Sequence, residues 1–416
     1  MPSSSDSAQR CVRIVLYSHD TMGLGHMRRS LLIAHALSRG GREATVLLVC
    51  GSVQACSFII PLGVDCLTLP ALRKSANGAY DSRRLDLPLA AIVKLRSQTI
   101  RAAVRAFAPD LMVTDNVPRG ALGELVPVLE DLAAAGVPCV LGLRDILDEP
   151  DAVAREWARA GNEQAIRDYY RAVWVYGDRA LYDIAAEYGF SAETRQRLRY
   201  VGYLDQRPRL THTSGHGPPS PVPSGPFALC TVGGGQDGLD LADAFARSSA
   251  PVGVRRLVLV GPEMDRGGRR HLHEHARHDR DLTVVDFVSE PGHLVKRAGC
   301  MVTMGGYNTV CEALSFRKRA LVVPRVTPRR EQLIRAERMR ERGLLDVLHP
   351  NALAPDLLSS WVRRNFGRPG RPARGHVDLG GPGRLRAAAR EILGLPPNGS
   401  SEREGDGSRL AALRAS

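Results

Sequence analysis

Two doubly wound α/β domains, each a parallel sheet covered by helices on both faces, are the fold class this sequence predicts. Three observations carry the prediction. Short β-branched apolar runs alternate with longer helical stretches, the signature of repeated βα units. A segment rich in Pro, Gly, Ser, Thr and His, Leu204 to Pro226, interrupts this alternation before it restarts. The chain also has 416 residues, long for a single core. The predicted organisation is a first Rossmann-like domain over 8–203, a Pro-rich linker over 204–226, and a second Rossmann-like domain over 227–395. A polar, charged tail over 396–416 is expected to be disordered.

The elements follow in order. Cys11 to Tyr17 is a buried strand, Ser18 to Gly25 a loop, and His26 to Ser38 a helix. Thr45 to Cys50 is the next strand, followed by a short helix and an apolar run near Val64 to Leu69. Leu87 to Phe107 has helical periodicity with Arg and Lys on its polar face. Asp110 to Thr114, Val137 to Leu143 and Ala172 to Tyr176 read as strands. After the linker come strands at Phe227 to Val232, Arg255 to Val260, Leu282 to Phe287, Cys300 to Thr303 and Arg319 to Val323. Ligands in such sheets bind beyond the strand C-termini, so two facing domains predict a site in the cleft between them.

Composition narrows the function classes. No apolar run approaches the ~20 residues that cross a bilayer, and Met1 to Arg10 has no apolar signal-peptide core. A cytoplasmic protein is expected, with peripheral contact to the inner membrane face as an option. The eight cysteines have no metal-ligand spacing, and Cys11, Cys50, Cys139, Cys230 and Cys300 fall in apolar runs. They read as small core residues rather than a disulfide framework. The net charge of +13 suits nucleic acid, anionic lipid or phosphorylated ligands. Sparse aromatics and the lack of a nucleic-acid motif argue against the first.

The chemistry is concentrated in βα turns. Gly23-Leu24-Gly25-His26-Met27-Arg28 follows the first strand and opens a helix. Arg28 stands where a third glycine would be, and the next strand ends Val49-Cys50-Gly51 without an acid for a ribose. Both departures argue against a nicotinamide or flavin site. Gly23 and Gly25 allow the sharp turn, and His26 at the helix start can act as a general base near neutral pH. Asp115, closing the strand DLMVTD, is a second candidate base. The turn Gly233 to Gly238 opens the second domain and lets the backbone approach an anion. Met304 to Gln332 then supplies a Gly-Gly turn, a helix carrying Glu312, a short strand, and a Pro-rich loop ending in Glu331-Gln332.

These stretches resemble the GT-B glycosyltransferases. The likeness is nearest to the family of the N-acetylglucosaminyltransferase that completes the lipid-linked peptidoglycan precursor, and to related predicted glycosyltransferases. SHDTMGLGHMRRS (Ser18 to Ser30), TVGGGQDG (Thr231 to Gly238), DFVSEPGHL (Asp286 to Leu294) and the Met304 to Gln332 segment carry it. The resemblance implies a nucleotide-diphosphate sugar, UDP-linked, as co-substrate, with neither cofactor nor metal. Backbone at Phe287 and Val288 would meet the base. Gly234, Gly235 and Gln236, with Gly305, Gly306, Asn308 and Thr309, would cradle the diphosphate. Glu312 would take the ribose hydroxyls, Glu331 and Gln332 the sugar, and His26 would sit near the anomeric carbon.

The acceptor stays open: lipid-linked, glycan or small molecule. Retaining members of the fold often carry a second Glu eight positions before Glu312. Met304 stands there, which favours inversion. A hydrolase or 2-epimerase on the same fold is the alternative. Arg329-Arg330 before Glu331 leaves a charged sugar or an extra phosphate contact open.

Three further clusters stand out. His271, His275 and His278 share a helix face with no acid ligand evident, which reads as a solvated polar helix rather than a metal site. Arg73, Lys74, Arg83, Arg84, Lys94, Arg96, Arg101 and Arg105 make the first domain locally basic. This reads as a solvated face, with membrane docking the rival. Asp145, Asp148, Glu149 and Asp151 read as a loop and helix N-cap cluster.

Overall fold

The computed structural model describes residues 11–19, 25–39, 41, 43–51, 58–74, 80–212, 222–370 and 377–396. Gly23, residues 213–221 of the linker and all but the first residue of the predicted tail lie outside them.

The first half contains β1 (Val12–Tyr17), α1 (Gly25–Ser38), β2 (Ala44–Cys50), β3 (Val64–Thr68), and a small hairpin of β4 (Leu72–Lys74) and β5 (Tyr80–Ser82). It continues through α2 (Leu89–Phe107), β6 (Leu111–Asp115), α3 (Val126–Ala134), β7 (Cys139–Arg144), α4 (Pro150–Ala160) and α5 (Asn162–Tyr169). β8 (Ala172–Tyr176), α6 (Ile184–Glu187), α7 (Ala192–Arg197), β9 (Leu198–Tyr200) and α8 (Pro208–His212) complete it. The second half runs β10 (Phe227–Thr231), α9 (Leu239–Ala246), β11 (Arg255–Leu259), α10 (Arg266–His278), β12 (Leu282–Val285) and α11 (Gly292–Arg297). It ends with β13 (Cys300–Thr303), α12 (Tyr307–Ser315), β14 (Ala320–Val322), α13 (Glu331–Glu341), β15 (Asp346–Val347), α14 (Pro355–Asn365) and α15 (Gly381–Ile392).

Seven parallel strands in the order β3-β2-β1-β6-β7-β8-β9 form the first sheet, and six in the order β12-β11-β10-β13-β14-β15 form the second. Helices cover both faces, so β6, β8 and β10 are buried at every position. That burial is why they appear in the sequence as unbroken apolar runs rather than alternating ones. Each sheet reverses its strand order once, between β1 and β6 in the first and between β10 and β13 in the second. Such switch points open the crevices in which ligands of α/β sheets bind.

The C-terminal end of the chain departs from the expected division. α15 packs on α1, burying Leu385 and Ala389. It is tied to the first half through Gly381 N to Tyr203 O at 3.1 Å and Asp378 N to Asp178 Oδ2 at 3.1 Å. The amphipathic stripe marks α15 as a helix, but the face it packs on belongs to α1, more than 340 positions earlier.

The basic face of the first half is largely neutralised. Arg96 is buried, clamped by Glu124 at 2.5 and 2.7 Å, with Tyr17 on the same carboxylate at 2.6 Å. Arg101 and Arg105 share Asp131, Arg73 faces Asp81, and Arg83 reaches Glu263 of the second half. Cys11 sits exposed just before β1, whereas Cys50, Cys139, Cys230, Cys300 and Cys311 are buried thiols. Among the described residues no helix is long and apolar enough to cross a membrane.

Candidate active site between the two sheets

The first switch point positions three charged side chains. β1 leads into α1, whose second residue is His26, while β6 ends in Asp115 on the adjacent strand. His26 Nδ1 lies 2.5 Å from Asp115 Oδ2. Arg29, one turn along α1, donates to both oxygens of the same carboxylate at 2.7 and 2.8 Å. Burial alone would raise the Asp115 carboxyl, but Arg29 and His26 outweigh it and hold the group well below the usual carboxylate range. An ionised carboxylate only accepts, so the short contact places the His26 proton on Nδ1 and the lone pair on Nε2. Burial also lowers His26 from its usual value, with Asp115 partly opposing, and the ring is therefore neutral at physiological pH.

Asp115, expected as a second candidate base, thus has another place. It is only 3 % exposed and fully occupied by His26 and Arg29, so it orients the imidazole and has no lone pair turned to the cleft.

The second switch point presents backbone. The turn after β10 is bent by Gly235 (φ +95°), where an added Cβ would meet Val260 O at 2.6 Å. The turn after β13 depends on Gly305 (φ +82°), where a Cβ would meet Val322 Cγ1 at 2.5 Å. α12 starts at this turn with no side-chain cap, leaving its first N–H groups for an anion. Asn308 Nδ2 crosses between the halves to donate to Gly25 O at 2.7 Å, so the residue before His26 is pinned to this turn. Met304 packs against the second core and brings no charge.

Among the remaining expected donor residues, Glu312, Val288 and Gln332 have partners within the chain. Glu312 is buried, with Arg209 Nη1 3.4 Å from Oε1. Burial raises its carboxyl, and Arg209 and Arg28 partly offset that. Arg28 Nη2 donates to Val288 O at 3.0 Å, occupying the carbonyl expected to face a base, and Phe287 beside it is half-buried. Gln332 Oε1 accepts from Arg325 N at 3.0 Å. Gln236 is exposed and Thr309 half-buried at the two turns.

Several site residues escaped sequence reasoning. Arg325 bridges Asp237 in the first glycine turn (3.0 Å) and Glu331 (2.8 Å). Arg335, on α13, is fully buried and pairs with Asp145 at 2.8 Å, just past β7. Asp148 Oδ1 accepts from Arg330 N at 2.8 Å, and Arg329 and Arg330 pair with Glu156 and Glu149. The acidic run is the loop and helix start expected, with Glu149 at the N-cap of α4 and Asp151 in its first turn, and Asp145, Asp148 and Glu149 in addition dock α13 and the loop before it. Asp243 of α9 likewise supplies the acid that was not evident for the histidines. Its Oδ1 lies 2.7 Å from His271 Nε2 and 3.3 Å from His275 Nε2, and Arg247 holds its other oxygen.

No protein-family model and no curated protein matches the sequence. Solved structures do match in three dimensions. The glycotransferase of kitacinnamycin is similar over 92 % of this chain and 96 % of its own, at 16 % identity and a TM-score of 0.54. CalG4, the calicheamicin glycosyltransferase, is similar over 92 % and 95 %, at 17 % identity and a TM-score of 0.52. A Listeria monocytogenes protein assigned as a UDP-N-acetylglucosamine 2-epimerase is similar over 94 % and 100 %, at 12 % identity and a TM-score of 0.60. With two parallel sheets of this strand order and near full-length likeness to these enzymes, the chain has the GT-B fold.

Proposed function

We propose that the protein is an inverting glycosyltransferase that moves a sugar from a nucleotide diphosphate, UDP in the first instance, to an acceptor hydroxyl or amine. The observation that carries this reading is the Asn308–Gly25 hydrogen bond, which pins the His26–Asp115 pair beside the glycine turn of α12. A base and an anion cradle are thereby held together across the cleft. His26 Nε2 takes the acceptor proton as the acceptor oxygen or nitrogen attacks the anomeric carbon. The bond to the diphosphate breaks in line, and the N–H groups at the start of α12 stabilise the charge that develops on the leaving phosphate. Asp115 stabilises the imidazolium and Arg29 keeps Asp115 ionised. Glu312 and Val288 O would exchange Arg209 and Arg28 for ribose and base on donor binding.

A thermal-shift screen over nucleotide-diphosphate sugars tests the donor, since a ligand of the native state raises its apparent stability. A second reading, hydrolase or 2-epimerase, draws support from the fold shared with the Listeria protein. Incubation with donor alone separates them. Rapid stoichiometric sugar release, or conversion to the 2-epimer, without any acceptor would sink the transferase reading.

A further inference from the structure

Two helices that cover the second sheet bring three metal-binding side chains together. His271 and His275 lie four residues apart on α10, and Asp243 comes from α9, which packs beside it. Positions i and i+4 share a helix face, so both imidazoles project toward the same neighbour. Their rings meet edge to face, with centroids 4.7 Å apart. His271 Nε2, His275 Nε2 and one Asp243 oxygen all lie within 4.8 Å of one another. The sequence places His278 on the same face, but its Nε2 turns to Glu274 of its own helix at 3.0 Å. The backbone under the group is anchored. Asp265 caps α10 at Gly268 N, and Leu272, between the two histidines, is fully buried.

Hydrogen bonding alone does not account for this arrangement. Asp243 Oδ1 accepts from His271 Nε2 at 2.7 Å, and Arg247 holds the other oxygen at 2.5 Å. Burial would raise the Asp243 carboxyl, but His271 and Arg247 outweigh it and hold the group below its usual value. Asp243 is therefore an anion at neutral pH. His275 Nε2 lies 3.3 Å from the same Oδ1, is shielded from solvent, and makes no hydrogen bond. At that distance a ring N–H aimed at the oxygen would make one, so the nitrogen points beside Oδ1 rather than at it.

A divalent ion beside Oδ1 would satisfy all three atoms. Zn²⁺ takes imidazole nitrogen and carboxylate oxygen at about 2.0–2.2 Å in a tetrahedron, which sets neighbouring ligand atoms about 3.3–3.5 Å apart. The His275–Asp243 separation already has that value. The His271 contact can open to it by turning a side chain that is half exposed. Mg²⁺ and Ca²⁺ prefer oxygen ligands, so two imidazoles select against them. Water would fill the fourth position.

We propose that Asp243, His271 and His275 form a Zn²⁺ site that clamps α9 to α10. All three residues lie at least one turn beyond the starts of their helices, which follow the strand ends at the cleft. The ion therefore ties two helices together and takes no part in sugar transfer. The proposal is independent of the donor and of the acceptor.

Calorimetric titration with Zn²⁺ tests it on the full chain, made without a polyhistidine tag and freed of metal by a chelator, with Mg²⁺ as the control. One equivalent of Zn²⁺ should bind and Mg²⁺ should not. Zn²⁺ should also raise the urea midpoint, because a ligand of the native state stabilises that state. His271→Gln, His275→Gln and Asp243→Asn should each weaken Zn²⁺ binding at least about tenfold, or ~1.4 kcal/mol, and remove the midpoint shift. His273→Gln and His278→Gln should leave both unchanged. His271 is half exposed, so its variant keeps the test decisive should Asp243→Asn fail to fold, with far-ultraviolet circular dichroism as the check. Absence of Zn²⁺ binding would overturn the proposal, as would binding that survives the loss of both His271 and His275. A loss in His278→Gln equal to that in His271→Gln would overturn it by moving the site along α10. Binding with no rise in the urea midpoint would overturn the clamp.

Discussion

The two sheets solve the same geometric problem with different materials. In each, the site lies where the strand order reverses, between β1 and β6 or between β10 and β13. The first sheet places side chains there: His26, Asp115 and Arg29, locked by contacts of 2.5 to 2.8 Å. The second places backbone, in turns that Gly235 and Gly305 alone permit. Proton transfer needs a fixed lone pair with a defined tautomer, which only side chains and their charged neighbours supply. Holding a diphosphate needs several N–H groups at close range, which only an uncrowded backbone supplies. Polar groups in the second half are also satisfied by exchangeable arginines, Arg28 on Val288 and Arg209 on Glu312. On the proposed reading, the first edge keeps its contacts when a donor binds, whereas the second has partners to surrender.

Breaking the first edge should have the largest effect. His26→Ala should lower the transfer rate by roughly 10²–10⁴-fold, the usual worth of a general base, with nucleotide-sugar affinity unchanged in a calorimetric titration. Retained turnover would remove His26 from catalysis and leave the fold unaffected. Next in size is the seam between the two. Arg335→Ala strands the Asp145 carboxylate in the interior, and loss of one partner of a buried pair costs about 3–5 kcal/mol, to be read by urea unfolding. A small change there would mean that water reaches the seam.

The second edge should give a smaller, differently shaped response. Gly305→Ala meets both positive φ and the Val322 side chain, a local strain of order 1–3 kcal/mol, and it should weaken nucleotide binding while leaving the His26 titration alone. The smallest effect concerns pH. Burial lowers His26, so the base stays deprotonated through neutral pH and kcat/KM should fall only on acidification below the ordinary value of about 6.5. Asp115→Asn removes a charge that favours the imidazolium, so its acid limb should move to still lower pH. Movement to higher pH would contradict the pairing.

Much of the fold was legible in the chain. The strands Ala172 to Tyr176 and Cys300 to Thr303 appear at their predicted bounds, because an apolar run between turn residues has few other uses in a βα repeat. The hairpin β4–β5 was not foreseen, since three-residue strands carry no period. In the site, glycines could be found from sequence because few residues tolerate the turns at 235 and 305. Arginines could not. Arg96 looks like any other cation on an amphipathic helix, yet it is buried against Glu124. Arg335 likewise carries no local mark of its surroundings.

By itself, then, the sequence determined where the chain turns, which segments are buried, and which turns can admit an anion. All three follow from local rules: apolar period, glycine's access to positive φ, and the unpaired N–H groups at a helix start. Tertiary structure alone decided which charges meet. It made Asp115 the partner of His26 and joined Asp145 to Arg335 across 190 positions. Electrostatic partnership depends on distance in space and on the exclusion of water, neither of which spacing along a chain records.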